Sequence, residues 1–213
     1  MSEIEILPVA LLSFYIAGSA TFLASLAGIP LGAFVALRPF RGSFLVQTGI
    51  VSLYALPATV VGLIFYTLLS RGGPLGFLNL VFTPLGMVIA ETFFILPLVA
   101  SLSASAVRSV EDPVRQTIRT LGADEWQFTV KVLREARLGL FAAVMVGFGR
   151  AISEVGVVWI VGANISGRTQ VLTTAIVEQT QRGEFGTAFA LAGILLFIAT
   201  AVFLLLRRIQ ERR

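Results

Sequence analysis

The chain has 213 residues, of which 56% are hydrophobic and only 13% charged, with a formal net charge of +4. Soluble domains carry about a quarter charged residues, so a mean hydropathy of +0.90 points to a single membrane domain spanning 1–213 and excludes an ordinary soluble fold. The sequence has no Cys and no His, which removes thiol chemistry, Cys/His metal sites and His-based catalysis. The one lysine, Lys131, follows Val130, so no Gly-Lys-Ser/Thr phosphate loop exists.

The predicted elements are helices apolar nearly all round, each near the ~20 residues that cross a bilayer. Residues 1–5 are acidic, unlike the basic start of a cleaved signal peptide, so none is expected. Five spans follow, at about 8–37, 44–70, 77–107, 138–162 and 185–206. Arg38-Pro-Phe-Arg41-Gly separates the first two, and Arg71-Gly-Gly-Pro-Leu-Gly76 precedes the third. Gly18, Ser19 and Gly28 suit close helix packing in the first span. Pro57 in the second span and Pro97 in the third each read as a packing kink or a hinge.

Between the third and fourth spans lies a polar island at about 108–137. Asp112-Pro113 reads as a helix start, Gly122 as its stop, and Asp124-Glu125 as the start of a second short helix. Trp126, Val130 and Leu133 fall at i, i+4 and i+7, near one face. The pattern is helix–Gly–helix: either an amphipathic connector on the membrane surface or a docking element. The loop at 163–184, with Asn164, Ser166 and Arg168, is polar at the other membrane face. A short helix is expected near 171–179. This loop lines an outer mouth, meets a partner, or is simply solvated.

Basic residues favour the cytoplasmic side. With the C-terminus inside, Arg38, Arg41, the island's six basic residues and the four terminal arginines are cytoplasmic, and only Arg71, Arg168 and Arg182 lie outside. The N-terminus is then outside. The arginines flank apolar spans instead of forming a patch, so no nucleic-acid partner is expected; the lipid bilayer is. Three ionisable residues fall within spans: Glu91, Arg150 and Glu154. Such residues are costly in a bilayer and face a bundle interior. Arg150 and Glu154, at i and i+4, are expected to share one helix face and pair. They read either as a structural pair, with or without Glu91, or as part of a translocation path.

The run Arg119-Thr120-Leu121-Gly122-Ala123, then Trp126-Gln127, resembles the cytoplasmic coupling loop of ABC importer permeases. The usual Glu-Ala-Ala is replaced by Gln116-Thr117-Ile118. The strings Leu56-Pro57-Ala-Thr-Val-Val-Gly62 and Gly149-Arg150-Ala-Ile-Ser153-Glu154-Val-Gly156 resemble the oxyanion branch of these permeases. Leu69-Ser-Arg-Gly-Gly-Pro-Leu-Gly76 and 162–176 are most similar to tungstate permeases.

The resemblance implies an all-α type I permease in the cell membrane, importing a tetrahedral oxyanion, tungstate before molybdate or sulfate. It implies two copies of a separate ATPase subunit that bind ATP and Mg, a second permease chain forming a homodimer, and an extracytoplasmic oxyanion-binding protein. This chain itself holds no cofactor, no metal and no catalytic residue. Gln116, Arg119, Thr120, Leu121, Gly122, Ala123, Asp124, Glu125 and Trp126 would form the coupling surface. Glu91, Arg150, Glu154 and Pro57 would line the path or brace it. The rival of another class is an ion-coupled carrier or channel using Glu91 and Glu154. A membrane enzyme is disfavoured for want of a nucleophile–base pair.

Overall fold

The computed structural model describes residues 6–38 and 41–211. The acidic start, Pro39 and Phe40 of the first link, and Arg212 and Arg213 lie outside them. Among the described residues there are ten α-helices, a short 3-10 turn at Gly76–Leu78 and no strand. In chain order the helices are α1 (Ile6–Leu37), α2 (Ser43–Tyr54), α3 (Ala58–Leu69), α4 (Pro84–Arg108), α5 (Asp112–Thr120), α6 (Glu125–Glu135), α7 (Arg137–Ile152), α8 (Gly156–Gly162), α9 (Leu172–Gln181) and α10 (Phe185–Glu211).

Three helices, α1, α4 and α10, are long and apolar enough to cross a membrane unbroken. The two other expected spans are each a bent pair: α2 with α3 at 94° and α7 with α8 at 53°. The span count is therefore three to five, depending on how the bent pairs are counted. At Pro57 the bend is a full break and not a kink in a continuing helix. Proline stands at the N-cap of α3 with extended backbone (ψ 135°), a conformation that the preceding helix cannot continue through. Its carbonyl instead accepts from the amides of Val60 and Val61. Pro97, by contrast, is accommodated inside an unbroken α4. The third span starts at Pro84, later than its hydropathy suggests. Thr83 caps it through Oγ1, which accepts from Gly86 N at 3.1 Å, with proline in the first turn.

α4 is the central strut. It packs along α1 and also touches α2, α3, α7 and α8. The α1 contact runs through Gly28 and Gly32. A Cβ on Gly32 would lie 2.4 Å from the carbonyl oxygen of Ala100, and one on Gly28 would lie 3.2 Å from Ala100 N. This small-xxx-small spacing lets two backbones touch. Gly18, also expected to pack, faces open space, with nothing within 4 Å of a Cβ there. The second halves of the two broken spans, α3 and α8, meet in the same manner. A Cβ on Gly62 would be 3.1 Å from Val157 Cα, and one on Gly156 would be 3.1 Å from Thr59 N. α10 lies at the periphery against α9 and α7, and α2 contains no buried residue.

The Gly32→Val variant should lose thermal stability in detergent, because backbone blocks the new side chain and overpacking costs about 1–3 kcal/mol or more. Gly18→Val should unfold within a degree or two of the wild type. Both are read from tryptophan fluorescence during heating.

Candidate functional site: the coupling hairpin and the intramembrane charges

The two ends of α4 mark two faces of the molecule. At its C-terminal end a small core of Ala33, Val107, Phe128, Val132 and Ala136 joins the ends of α1 and α4 to α6. The polar island is attached there. α5 is amphipathic and has no buried residue. Its N-cap is Glu111, which makes no side-chain capping bond, so Asp112 stands inside the first turn and is not the cap. There it still favours the positive helix end. α5 stops at Thr120, and Gly122 follows with φ +79°, a left-handed conformation that glycine adopts without cost. Asp124 opens α6 with a capping box: Gln127 N donates to Asp124 Oδ1 at 2.8 Å, and Asp124 N donates to Gln127 Oε1 at 3.2 Å.

The apolar stripe of α6 is shifted from the expected one. Phe128, Val132 and Ala136 are buried, while Trp126 is 76% exposed. Leu121 is exposed as well. The spacing i, i+4, i+8 from Phe128 fits the core at the end of α4, and Trp126 belongs to the opposite surface. The hairpin thus shows solvent two large apolar side chains flanking a glycine turn. Arg119 stacks across it, its guanidinium 4.5 Å from the Phe128 ring centroid.

Arg115, which sequence reasoning passed over, fastens this hairpin to the strut. Its Nε donates to Val110 O at 3.0 Å and its Nη2 to Val107 O at 2.6 Å. These carbonyls belong to the last turn of α4 and the link just after it. A helix C-terminus leaves such acceptors unsatisfied, and a guanidinium fork meets two at once. The only sequence signal was an arginine one turn into a helix that follows a span.

Midway along the bundle, the structure brings Glu91, Arg150 and Glu154 together, though not as one helix face. α7 ends at Ile152, so Glu154 lies in the break before α8. It still pairs with Arg150, Nη1 to Oε2 at 2.6 Å. Its other oxygen accepts from the amides of Val155 at 3.0 Å and Gly156 at 2.7 Å. One carboxylate therefore satisfies an arginine and the amides freed by the break. Arg150 also lies over the Phe94 ring at 4.6 Å.

The pair is unevenly placed: Glu154 is 4% exposed but Arg150 is 39% exposed. Arg150 reaches the surface beside Val146, Gly149 and Ser153, which are also exposed. Glu91 is fully buried on α4, and its Oε1 has no hydrogen-bond partner among the described residues. It shares a crevice of about 10 Å³ with Glu154, Ser13 and Thr173, room for about one water. Pro57 lies outside this cluster, next to the α3–α8 contact. No group of acids that could hold a metal occurs among the described residues.

At the opposite end of α4, Asn164 and Gln170 both donate to Glu178 Oε2, at 2.8 and 2.6 Å. Glu178 also pairs with Arg182. Ser166 and Arg168 are exposed in the same loop.

Broken membrane-crossing helices, a half-buried charge pair at a break and an exposed helical hairpin at one end describe a multi-pass membrane protein. Residues 28–213 match the family described as binding-protein-dependent transport system inner membrane component, and the chain belongs to that family. Such a component works with an ATPase and a substrate-binding protein.

The chain is 37% identical over 207 residues to the tungstate uptake system permease protein TupB of Peptoclostridium acidaminophilum, covering 97% of this chain and 91% of the relative. It is 38% identical over 205 residues to a probable anion ABC transporter permease protein of Haloferax volcanii, covering 94% and 88%. It is 31% identical over 206 residues to the molybdenum transport system permease protein ModB of Azotobacter vinelandii, covering 91% and 90%.

Replacing Arg115 by Lys removes the fork but keeps the charge. Amide hydrogen exchange across 112–121 should speed up about tenfold, matching the loss of a charged hydrogen bond, while exchange in α4 up to residue 100 should not change.

Proposed function

We propose that this chain is the permease subunit of an ATP-driven importer for a tetrahedral oxyanion, tungstate before molybdate or sulfate. In this reading two copies form the pathway, two ATPase subunits dock on the hairpins, and an extracytoplasmic protein delivers the anion. The N-terminus lies outside and the C-terminus in the cytoplasm. The observation that carries the reading is the hairpin itself. Leu121 and Trp126 are exposed on either side of Gly122, on a unit fastened by Arg115 to a bundle-spanning helix. An isolated carrier gains nothing from such a surface, whereas an ATPase groove fits it and can push on the bundle through it. The similarity to a tungstate permease over nearly the whole chain supports the choice of ion.

Arg150 fits a pathway role. It is half-exposed on a face of small residues, Gly149 and Ser153, and its charge is partly compensated by Glu154. A partly neutralised arginine attracts a dianion without trapping it, as an importer supplied by a high-affinity binding protein requires. Glu154 braces this arginine from the protein side. That bracing sets the carrier reading second, because Glu154 is already committed to three donors.

The reading is tested by co-purifying the chain with its ATPase and binding protein and measuring ATP-dependent uptake into proteoliposomes. Uptake should need ATP and the binding protein, and tungstate should stimulate hydrolysis more than sulfate does. Ion-driven uptake without ATP would favour the carrier instead.

Gly122→Val places a β-branched residue at φ +79° in otherwise open space, a strain of about 1–2 kcal/mol. The variant should assemble, yet transport several-fold less anion per ATP. Arg150→Gln should lower uptake at least tenfold with normal assembly; unchanged uptake would leave Arg150 a purely structural role.

A further inference from the structure

We infer that the membrane face opposite the coupling hairpin carries a preformed anion-reception site, in which Arg71 and Arg168 take a hydrated tetrahedral oxyanion before it enters the pathway. This inference rests on the import reading above and names a site outside the Glu91–Arg150–Glu154 cluster. The two arginines come from loops almost a hundred residues apart and line one pocket of about 520 Å³, together with Ser70, Asn79, Tyr66 and Phe82. No acidic residue lines it. Neither arginine forms a salt bridge among the described residues, whereas Arg182 in the same region is paired with Glu178. α4 starts beside this pocket and runs about 37 Å at 1.5 Å per residue to the coupling hairpin, so the two lie on opposite faces. Basic residues are disfavoured on the outer face of membrane proteins. Two that converge there without partners therefore need a reason other than topology.

Both arginines are mounted on turns with little freedom. Arg71 sits where Gly73 N donates to Ser70 O and Leu75 N to Leu68 O. A Cβ on Gly73 would lie 2.1 Å from Thr67 O, and one on Gly76 would lie 2.3 Å from Ser70 O, so the turn closes only with glycine at both places. Arg168 is held by its neighbours. The amides of Arg168, Thr169 and Gln170 all donate to Ile165 O, and the buried Thr169 hydroxyl donates to Gly162 O at 2.6 Å. Phe82 N donates to Val161 O at 3.0 Å, tying the Phe82 segment that lines the pocket to the end of α8, where the Arg168 loop begins.

All four non-glycine residues with positive φ among the described residues lie here: Asn79 (51°) and Phe82 (59°) on one side, Ala163 (58°) and Asn164 (50°) on the other. Backbone held in such conformations concentrates at ligand clamps. Of the two acids in the 163–184 segment, Glu178 is engaged by Asn164, Gln170 and Arg182, and Glu184 does not line the pocket. Guanidinium forks match tetrahedral oxyanions, and a pocket much larger than one ion leaves the anion most of its water. Binding is accordingly weak and release rapid.

The test uses the full permease–ATPase complex in lipid nanodiscs, with phenylglyoxal labelling of each arginine read by mass spectrometry. Tungstate or sulfate should slow labelling of Arg71 and Arg168 saturably below about 10 mM, and leave Arg182 unchanged. Chloride at equal ionic strength should not protect. In Arg168→Gln, about tenfold more tungstate should be needed to protect Arg71, the effect of one lost charged hydrogen bond. Equal protection by chloride would overturn the site as ionic screening. Protection by the anion-free binding protein but not by tungstate would overturn it in favour of a protein contact. ATP-dependent tungstate uptake is measured on the same preparation. Absence of uptake with protection intact counts against the import reading alone, and uptake without protection counts against this site alone.

Discussion

The close approach of α1 to α4 is the constraint on which the other features depend. Gly32 lies so near the Ala100 carbonyl that no side chain fits between them. Lipid tails are as apolar as leucine, so burial alone gives membrane helices little reason to associate; close packing has to supply it. With its C-terminal half pressed against α1, α4 becomes a fixed rod. Three features hang from that rod: Glu91 and Phe94 at its middle, the Arg115 fork bonded to its last turn, and the pocket lined by Arg71 and Arg168 beside its first.

The two broken spans pack against that rod. Neither half of α2–α3 or α7–α8 is long enough to cross a bilayer, and each break exposes backbone groups that lipid cannot satisfy. The breaks are stabilised differently. At Pro57 the missing amide removes one demand; the amides of Ala55 and Leu56 donate back into α2, and those of Val60 and Val61 donate to Pro57 O. At 153–155 the Glu154 carboxylate accepts two of the freed amides. Because α3 and α8 then touch through Gly62 and Gly156, the two breaks form a single joint. Arg150 sits on the edge of that joint, so a change in the bend angle would move the one half-exposed charge in the middle of the membrane.

Much of this was legible in sequence. Charge-free runs mark the helices, and Gly122 and Asp124 mark the hairpin turn, since glycine stops and capping acids depend only on neighbouring residues. The breaks were not legible. The run through Pro57 has unbroken hydropathy, and only the contact with α8 makes a 94° bend better than a kink. The i, i+4 spacing of Arg150 and Glu154 suggested one helix; the pair exists, but the helix between them stops. The buried stripe of α6 runs through Phe128, Val132 and Ala136, two residues off the Trp126–Val130–Leu133 face, because the core at the end of α4 decides which face of the helix turns inward. Arg115 was missed because its acceptors are backbone carbonyls, which carry no residue-type signal.

The strings that carry the family resemblance are distant in sequence yet adjacent in space. Leu56 to Gly62 meets Gly149 to Gly156 at the joint, and Leu69 to Gly76 meets 162–169 at the pocket lined by Arg71 and Arg168. Each string would be an ordinary turn or helix alone. Their pairing explains why their glycines sit where they do: Gly62 and Gly156 permit helix contact, while Gly73 and Gly76 permit the tight turn that carries Arg71. A transport subunit needs a fixed frame, a joint and a charged lining. In this chain the frame is set by glycines on α1, the joint by glycines on α3 and α8, and the wall of the arginine pocket by glycines that close the turn carrying Arg71. Small residues therefore decide where the few charges stand.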